Sequence, residues 1–126
     1  NDIIITADTV VILNNTIIGK PVDRADAINI LKSLSGNKHT VVSGVSIAKQ
    51  DVQFDFSVET NVYFEPITEA EIEFYIDKYQ PYDKAGAYAI QEWIGLNKIT
   101  RIEGDYYNVV GFPMSKIFPL LSLLLD

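Results

Sequence analysis

Asp8 interrupts a run of aliphatic residues, "IIITADTVVIL", from Ile3 to Leu13. An unpaired charge in an apolar core costs several kcal/mol or forces a large pKa shift. Such a residue stands at a strand end facing water, or it is held for a purpose. At a strand end, followed by Thr9, its carboxylate could hold a hard divalent cation or position a water, because magnesium prefers carboxylate oxygens and keeps several of its waters. The plainer reading is an Asp that caps neighbouring amides. Lys20 in "GKP" sits between a permissive and a rigid residue. The stretch lacks the glycine spacing and the following Ser or Thr of a Walker loop, so an exposed turn lysine competes with a phosphate contact. "YDKAGAYAIQEW", Tyr82 to Trp93, is the most unusual segment. Asp83 and Lys84 precede small residues that let backbone approach a ligand. Gln91 could read an amide or carbonyl edge, and Tyr88 or Trp93 could pack on a ring. A tightly packed loop would look the same. In "EGDYYNVVG", Glu103 and Asp105 could join a metal site or simply form a polar turn. His39 is the only histidine and there are no cysteines. This excludes thiolate zinc sites, cysteine nucleophiles and a Ser-His-Asp triad, and His39 is read as a strand-edge residue.

The elements that must position these groups follow from periodicity. Ile3 to Thr6 and Val10 to Leu13 are β-branched and apolar, and read as strand. Asn14-Asn15 is a turn signal. Asp23 can cap a helix reaching about Leu34, with Ala27, Ile28, Leu31 and Leu34 on one buried face and Gly36 as its stop. Thr40 to Ala48 and Val52 to Phe64 flank "KQD" and predict a hairpin. Thr68 with Glu71 makes a capping box for a helix carrying Ile72, Tyr75, Ile76 and Tyr79, which Pro81 ends. Residues 82–97 read as a functional loop or short helix, and Lys98 to Ile102 as a short strand. An apolar helix follows from about Ser115, with Pro119 placed to weaken an early turn. The order β, α, β-hairpin, α, β, α predicts one mixed α/β domain over residues 1–126.

Composition narrows the function classes. A chain of 126 residues with ordinary apolar content can bury a core without staples. The net charge of −7 shows no basic face for a nucleic acid, so a polyanionic ligand needs a few placed lysines or a divalent metal. "IFPLLSLLL" is too short to span a bilayer, no signal peptide is visible, and the absence of cysteine is compatible with a reducing compartment. A cytoplasmic protein without nucleic-acid or membrane partners is therefore expected.

The words "ADTVV", "GKP", "LSG", "H-x-V-x-S-G-V", "DKAGAYAIQ" and "GDYYNVVGFP" occur in this order along nearly the whole chain. Together they resemble the Maf family of nucleoside triphosphate pyrophosphatases, named for inhibition of septum formation. The resemblance implies an α/β fold like that of the inosine triphosphate pyrophosphatases, with a mixed twisted sheet flanked by helices. It implies hydrolysis of a nucleoside triphosphate to the monophosphate and pyrophosphate with a divalent metal, Mg2+ or Mn2+. Residue by residue, it makes Asp8 the general base and a metal ligand. Thr9 and Gln91 become associated with base selection, and Lys20 and Lys84 with the phosphates. "DKAGAYAIQ" and "GDYYNVVG" resemble the branch acting on dTTP and UTP, with Ala89 where Gly is common.

The chain also departs from the family pattern. It starts at Asn1 without Met, and the family's first strand and its S-x-S-P-R-R-like loop have no counterpart. That is roughly a third of the usual chain, and losing its strands would expose apolar sheet edge. The fold is thus expected to be N-terminally incomplete. The isolated chain is expected to be weakly active or inactive, and to persist by pairing with a second copy as a homodimer or with a cleaved N-terminal piece. Two alternatives to a working enzyme follow: a non-catalytic nucleotide- or protein-binding regulator of division, and an inactive fragment of the enzyme.

Overall fold

The computed structural model describes residues 2–125. Its sheet starts with β1 (Ile3–Leu13) and β2 (Thr16–Ile18), joined by Asn14 and Asn15 at φ 50° and 64°. Two successive left-handed residues make the tight hairpin turn that Asn tolerates best after glycine. After α1 (Arg24–Leu34) come β3 (Lys38–Lys49) and β4 (Val52–Phe64), the long hairpin, and then α2 (Glu69–Tyr79). A single 3-10 turn at Ala85–Ala87 leads to α3 (Trp93–Lys98), β5 (Ile99–Glu103), α4 (Tyr106–Val110) and α5 (Met114–Leu125). The strand order is β2-β1-β3-β4-β5 and all four pairings are antiparallel.

The local signals act as expected at both long helices. The Asp23 side chain accepts from the Asp26 N–H at 2.8 Å, and α1 buries Ala27, Leu31 and Leu34. Thr68 Oγ1 accepts from Glu71 N, while Glu71 Oε1 accepts from Thr68 N, closing the capping box of α2. Gln80, at φ 47°, ends that helix before Pro81. The tail helix begins at Met114 and runs through Pro119.

The helices cover one face of the sheet. Val11, Leu13, Val41, Val62 and Phe64 pack beneath α1 and α2 in the larger core, which includes Ile72, Tyr75 and Ile76. Val45 and Ile47 pack against Ile117 and Leu124 of α5 in a smaller one. The opposite face carries Thr6, Asp8, Asp55, Ser57 and Glu59, all exposed. This is the polar-out alternation of an antiparallel sheet with one wet face.

Two expectations are corrected. The strand is not broken between Thr6 and Val10: β1 is continuous, and Asp8 lies in its middle opposite Gly44. A charge is tolerated there because Asp8 points to the exposed face and Gly44 offers no side chain beside it. His39 is not a strand-edge residue. It sits in β3, the middle strand, 1% exposed, because its ring stacks on Phe64 at 5.3 Å and its Nε2 meets the Tyr88 hydroxyl.

Candidate active site

One cavity of about 250 Å³ is bordered by Asp8, Thr9, Lys20, Asp83, Lys84, Tyr88, Gln91 and the Val109–Gly111 corner. Residues scattered from position 8 to position 111 reach it by four separate devices.

The first device is the edge of β1. Strand β2 pairs only with Val11 to Leu13, so residues 3–10 of β1 are bonded on one side only among the described residues. The pleat sends Asp8 and Thr9 to opposite faces. Both still border the cavity, because it lies beside that open edge. The Asp8 carboxylate is exposed and no described residue bonds it. Thr9 Oγ1 is fixed by a 2.9 Å hydrogen bond with Ser43 Oγ.

The second device joins the two lysine segments. Gly86 N donates to Gly19 O at 3.1 Å, bringing the residue before Lys20 next to the residue after Ala85. Gly86 is required twice. Its φ is 74°, and a Cβ would stand 2.9 Å from Val11 Cγ2. Ala87 follows at φ 62° although it is not glycine, a strained conformation held by complete burial. Lys84 Nζ lies 3.1 Å from Asp83 Oδ2. That bond, followed by the charges of Lys84 and Lys20, holds the Asp83 carboxyl below its ordinary range.

The third device sets Gln91. Glu92 N donates to Ala89 O at 3.1 Å, so Ile90 and Gln91 are the central residues of a tight turn. Ile90 is buried and Gln91 exposed, and no described residue bonds the Gln91 amide. Beneath the turn, the buried Tyr75 hydroxyl accepts from Ala89 N at 3.1 Å and donates to Glu92 Oε1 at 2.5 Å. Tyr88 is tied down by the 2.5 Å bond to His39. Burial, reinforced for Tyr75 by Glu92, pushes both phenols far above their usual range, so both remain protonated.

The fourth device is Asn108. Its Nδ2 donates to Val41 O, Val58 O and Thr60 Oγ1 at 2.9–3.1 Å, anchoring α4 to the sheet and its end, Val109 to Gly111, to the cavity wall.

Glu103 and Asp105 stand elsewhere. Glu103 takes bonds from Tyr63 and Arg101, and Asp105 caps α4 through Tyr107 N and bonds Ser115. Neither borders the cavity. Trp93 packs on Phe74 and Tyr75 rather than facing it. Sequence reasoning missed Tyr75, Asn108 and Gly95 as supports. Gly95 carried no turn or motif signal, yet a Cβ there would lie 1.7 Å from Ile90 O.

Among the described residues, no three His, Cys, Asp or Glu side chains are grouped to hold a metal ion. The donors that do face the cavity still fit a hard cation. Magnesium is commonly held by one or two carboxylates, with waters and substrate phosphates completing the shell, rather than by an all-protein cage. Asp8 has both oxygens available for that use. No described helix is long and apolar enough to cross a membrane.

A family model described as Maf-like protein matches residues 1–124. The dTTP/UTP pyrophosphatase of Christiangramia forsetii is 45% identical over 126 residues, 100% of this chain and 64% of the relative. The dTTP/UTP pyrophosphatase of Thermosipho africanus is 50% identical over 119 residues, 94% of this chain and 62% of the relative. That of Porphyromonas gingivalis strain W83 is 48% identical over 116 residues, 92% and 58% of the two chains. The chain spans about three fifths of the length of the curated relatives it matches.

Proposed function

We propose that this chain, which belongs to the Maf-like protein family, carries reaction-centre residues of a nucleoside triphosphate pyrophosphatase acting on dTTP and UTP. One observation supports this most. A carboxylate without a partner, two lysines and an unbonded amide border a single cavity.

The residues divide the work by chemistry. Hydrolysis needs a water oriented at the α-phosphorus. The Asp8 carboxylate accepts its proton as the new P–O bond forms. The bond from that phosphorus to the bridging oxygen breaks, and its electron pair leaves with pyrophosphate. Lys20 and Lys84 neutralise the charge that builds there, which is the main demand of phosphoryl chemistry. Lys84 exchanges its weak surface pairing with Asp83 for the phosphate. A divalent cation, Mg2+ or Mn2+, would be held by Asp8 with phosphate and water oxygens. When bound it supplies further charge neutralisation to the triphosphate. Gln91 offers a donor and an acceptor, which match the alternating carbonyl and N–H edge of thymine or uracil. Thr9, locked to Ser43, shapes the same wall.

The test is pyrophosphate release from dTTP and UTP in the presence of magnesium, with Asp8→Asn as the variant. Loss of roughly 100-fold or more in rate is expected, the scale of a general base, with nucleotide binding retained. An Asp8→Asn protein that turns over dTTP undiminished overturns the assignment. Nucleotide binding by the unaltered protein without any turnover overturns catalysis by this chain alone and favours a binding role or an inactive part of the enzyme.

A further inference from the structure

We propose that Tyr75 is a positioning residue for base recognition, its buried hydroxyl clamping both ends of the turn that presents Gln91. The inference rests on the functional reading above and extends it to a residue that does not border the cavity.

The turn runs from Ala89 to Glu92, and its two free corners are Ile90 and Gln91. Ile90 is fixed by burial in the larger core. Gln91 has no such anchor, because its side chain is exposed and unbonded. Its direction is therefore set by the backbone on either side. Tyr75 reaches that backbone from below. One oxygen accepts from Ala89 N at 3.1 Å and donates its proton to Glu92 Oε1 at 2.5 Å. The hydroxyl thus closes a ring through the residues before and after the reading pair. The bond to a carboxylate is the stronger of the two, since charge-assisted hydrogen bonds exceed neutral ones.

The clamp is rigid because the ring has no room to move. Tyr75 is fully buried in α2, stacks on Tyr79 at 5.0 Å, and faces Trp93 at 6.4 Å. Trp93 is the first residue of α3, so the segment leaving the turn rests on the same ring. From the other side Gly95 admits the Ile90 carbonyl where any Cβ would collide. A turn held between two such supports fixes the point and direction from which the Gln91 side chain leaves the backbone. A site built to hydrogen-bond a given edge strongly rejects a ligand that lacks it. Cytosine presents an amino group where thymine presents a carbonyl, so dCTP is the informative competitor.

Tyr75→Phe removes the hydroxyl and keeps the ring packing. The preference for dTTP over dCTP is expected to fall roughly tenfold, mainly through KM, because the base lies away from the reacting phosphorus. Glu92→Gln keeps an acceptor for the hydroxyl and is expected to retain the preference. The decisive comparison adds Tyr75→Phe to Gln91→Ala. If Tyr75 acts through Gln91, the second change costs no further discrimination, whereas a merely structural role would add. An unchanged preference in Tyr75→Phe, or additive losses in the double variant, overturns the inference. The Ala89 amide exchange rate reads the clamp without turnover and is expected to rise more than tenfold in Tyr75→Phe. An unchanged rate also overturns the inference. If the unaltered protein neither binds nor turns over dTTP, the functional reading falls and takes the specificity role with it, and Ala89 exchange still shows whether the clamp exists.

Discussion

His39 shows what a single buried side chain commits the molecule to. Its ring lies between Phe64 and Tyr88, with one nitrogen bonded to the Tyr88 hydroxyl and the other, Nδ1, without a partner. A protonated ring would bury a charge that nothing nearby compensates. Burial accordingly lowers its pKa from 6.5 to about 4. The direction of the pH effect follows. The unfolded chain takes up a proton near pH 6.5, and the folded chain resists until about 4. The neutral ring's contribution is fully present above the unfolded value and is lost as pH falls through that window. The full window is worth about 3 kcal/mol, and about 2 kcal/mol of it is gone by pH 5. Urea unfolding at pH 7 and pH 5 should show that fall. His39→Gln, which cannot titrate, should flatten it, and an equal slope in the variant would refute the account. The ring also holds Tyr88 at the cavity wall, so the same protonation is expected to loosen the Lys84–Gln91 loop in acid.

At the scale of elements, the loop between α2 and α3 is held by fit rather than by propensity. Gly19 and Gly95 make the contrast measurable. A Cβ on Gly19 meets nothing within 4 Å, whereas one on Gly95 would lie 1.7 Å from Ile90 O and 2.8 Å from Ile90 Cα. Gly95→Ala must therefore displace α3 or the Gln91 turn, at a cost of about 3 kcal/mol, the upper range for overpacking. Gly19→Ala should cost well under 1 kcal/mol, as surface changes do. Thermal melts of the two variants check this, and equal midpoints would show that the turn yields freely. Much of the remaining architecture was legible. Helices α1 and α2, with their Asp23 and Thr68 caps, and the β3–β4 hairpin were readable because their signals are local. The continuity of β1 through Asp8 was not, since it depends on Gly44 lying opposite. Short β2 was hidden because only three residues pair. The cavity residues stood in unusual words. Their assembly depends on the bond from Gly86 to Gly19 and on Tyr75 beneath Ala89, contacts between segments far apart in sequence. Periodicity carries no trace of such contacts.

For the molecule as a whole, the balance between apolar exposure and charge decides how it behaves in solution. Residues 3–10 of β1 present backbone donors and acceptors that no described strand pairs. Ile4 on that strand is 62% exposed, and Phe118, Leu123 and Leu125 of α5 are exposed to a similar degree. An open edge beside apolar side chains is a template for pairing. The net charge of −7 acts against it, because two copies repel. Salt screens that repulsion over about 10 Å at 0.1 M and leaves apolar contact intact. The 126-residue chain is therefore expected to associate, and to do so more strongly as ionic strength rises, the reverse of an assembly held by ion pairs. Ile4→Lys places at the edge the residue that natural sheets use to blunt pairing, and should shift the chain toward monomer. Sedimentation velocity across a salt series reads both effects. A chain that remains monomeric at every salt concentration would mean that the β1 edge is protected by its own twist and by the charge around it. Association that weakens with salt would assign the contact to charged groups instead.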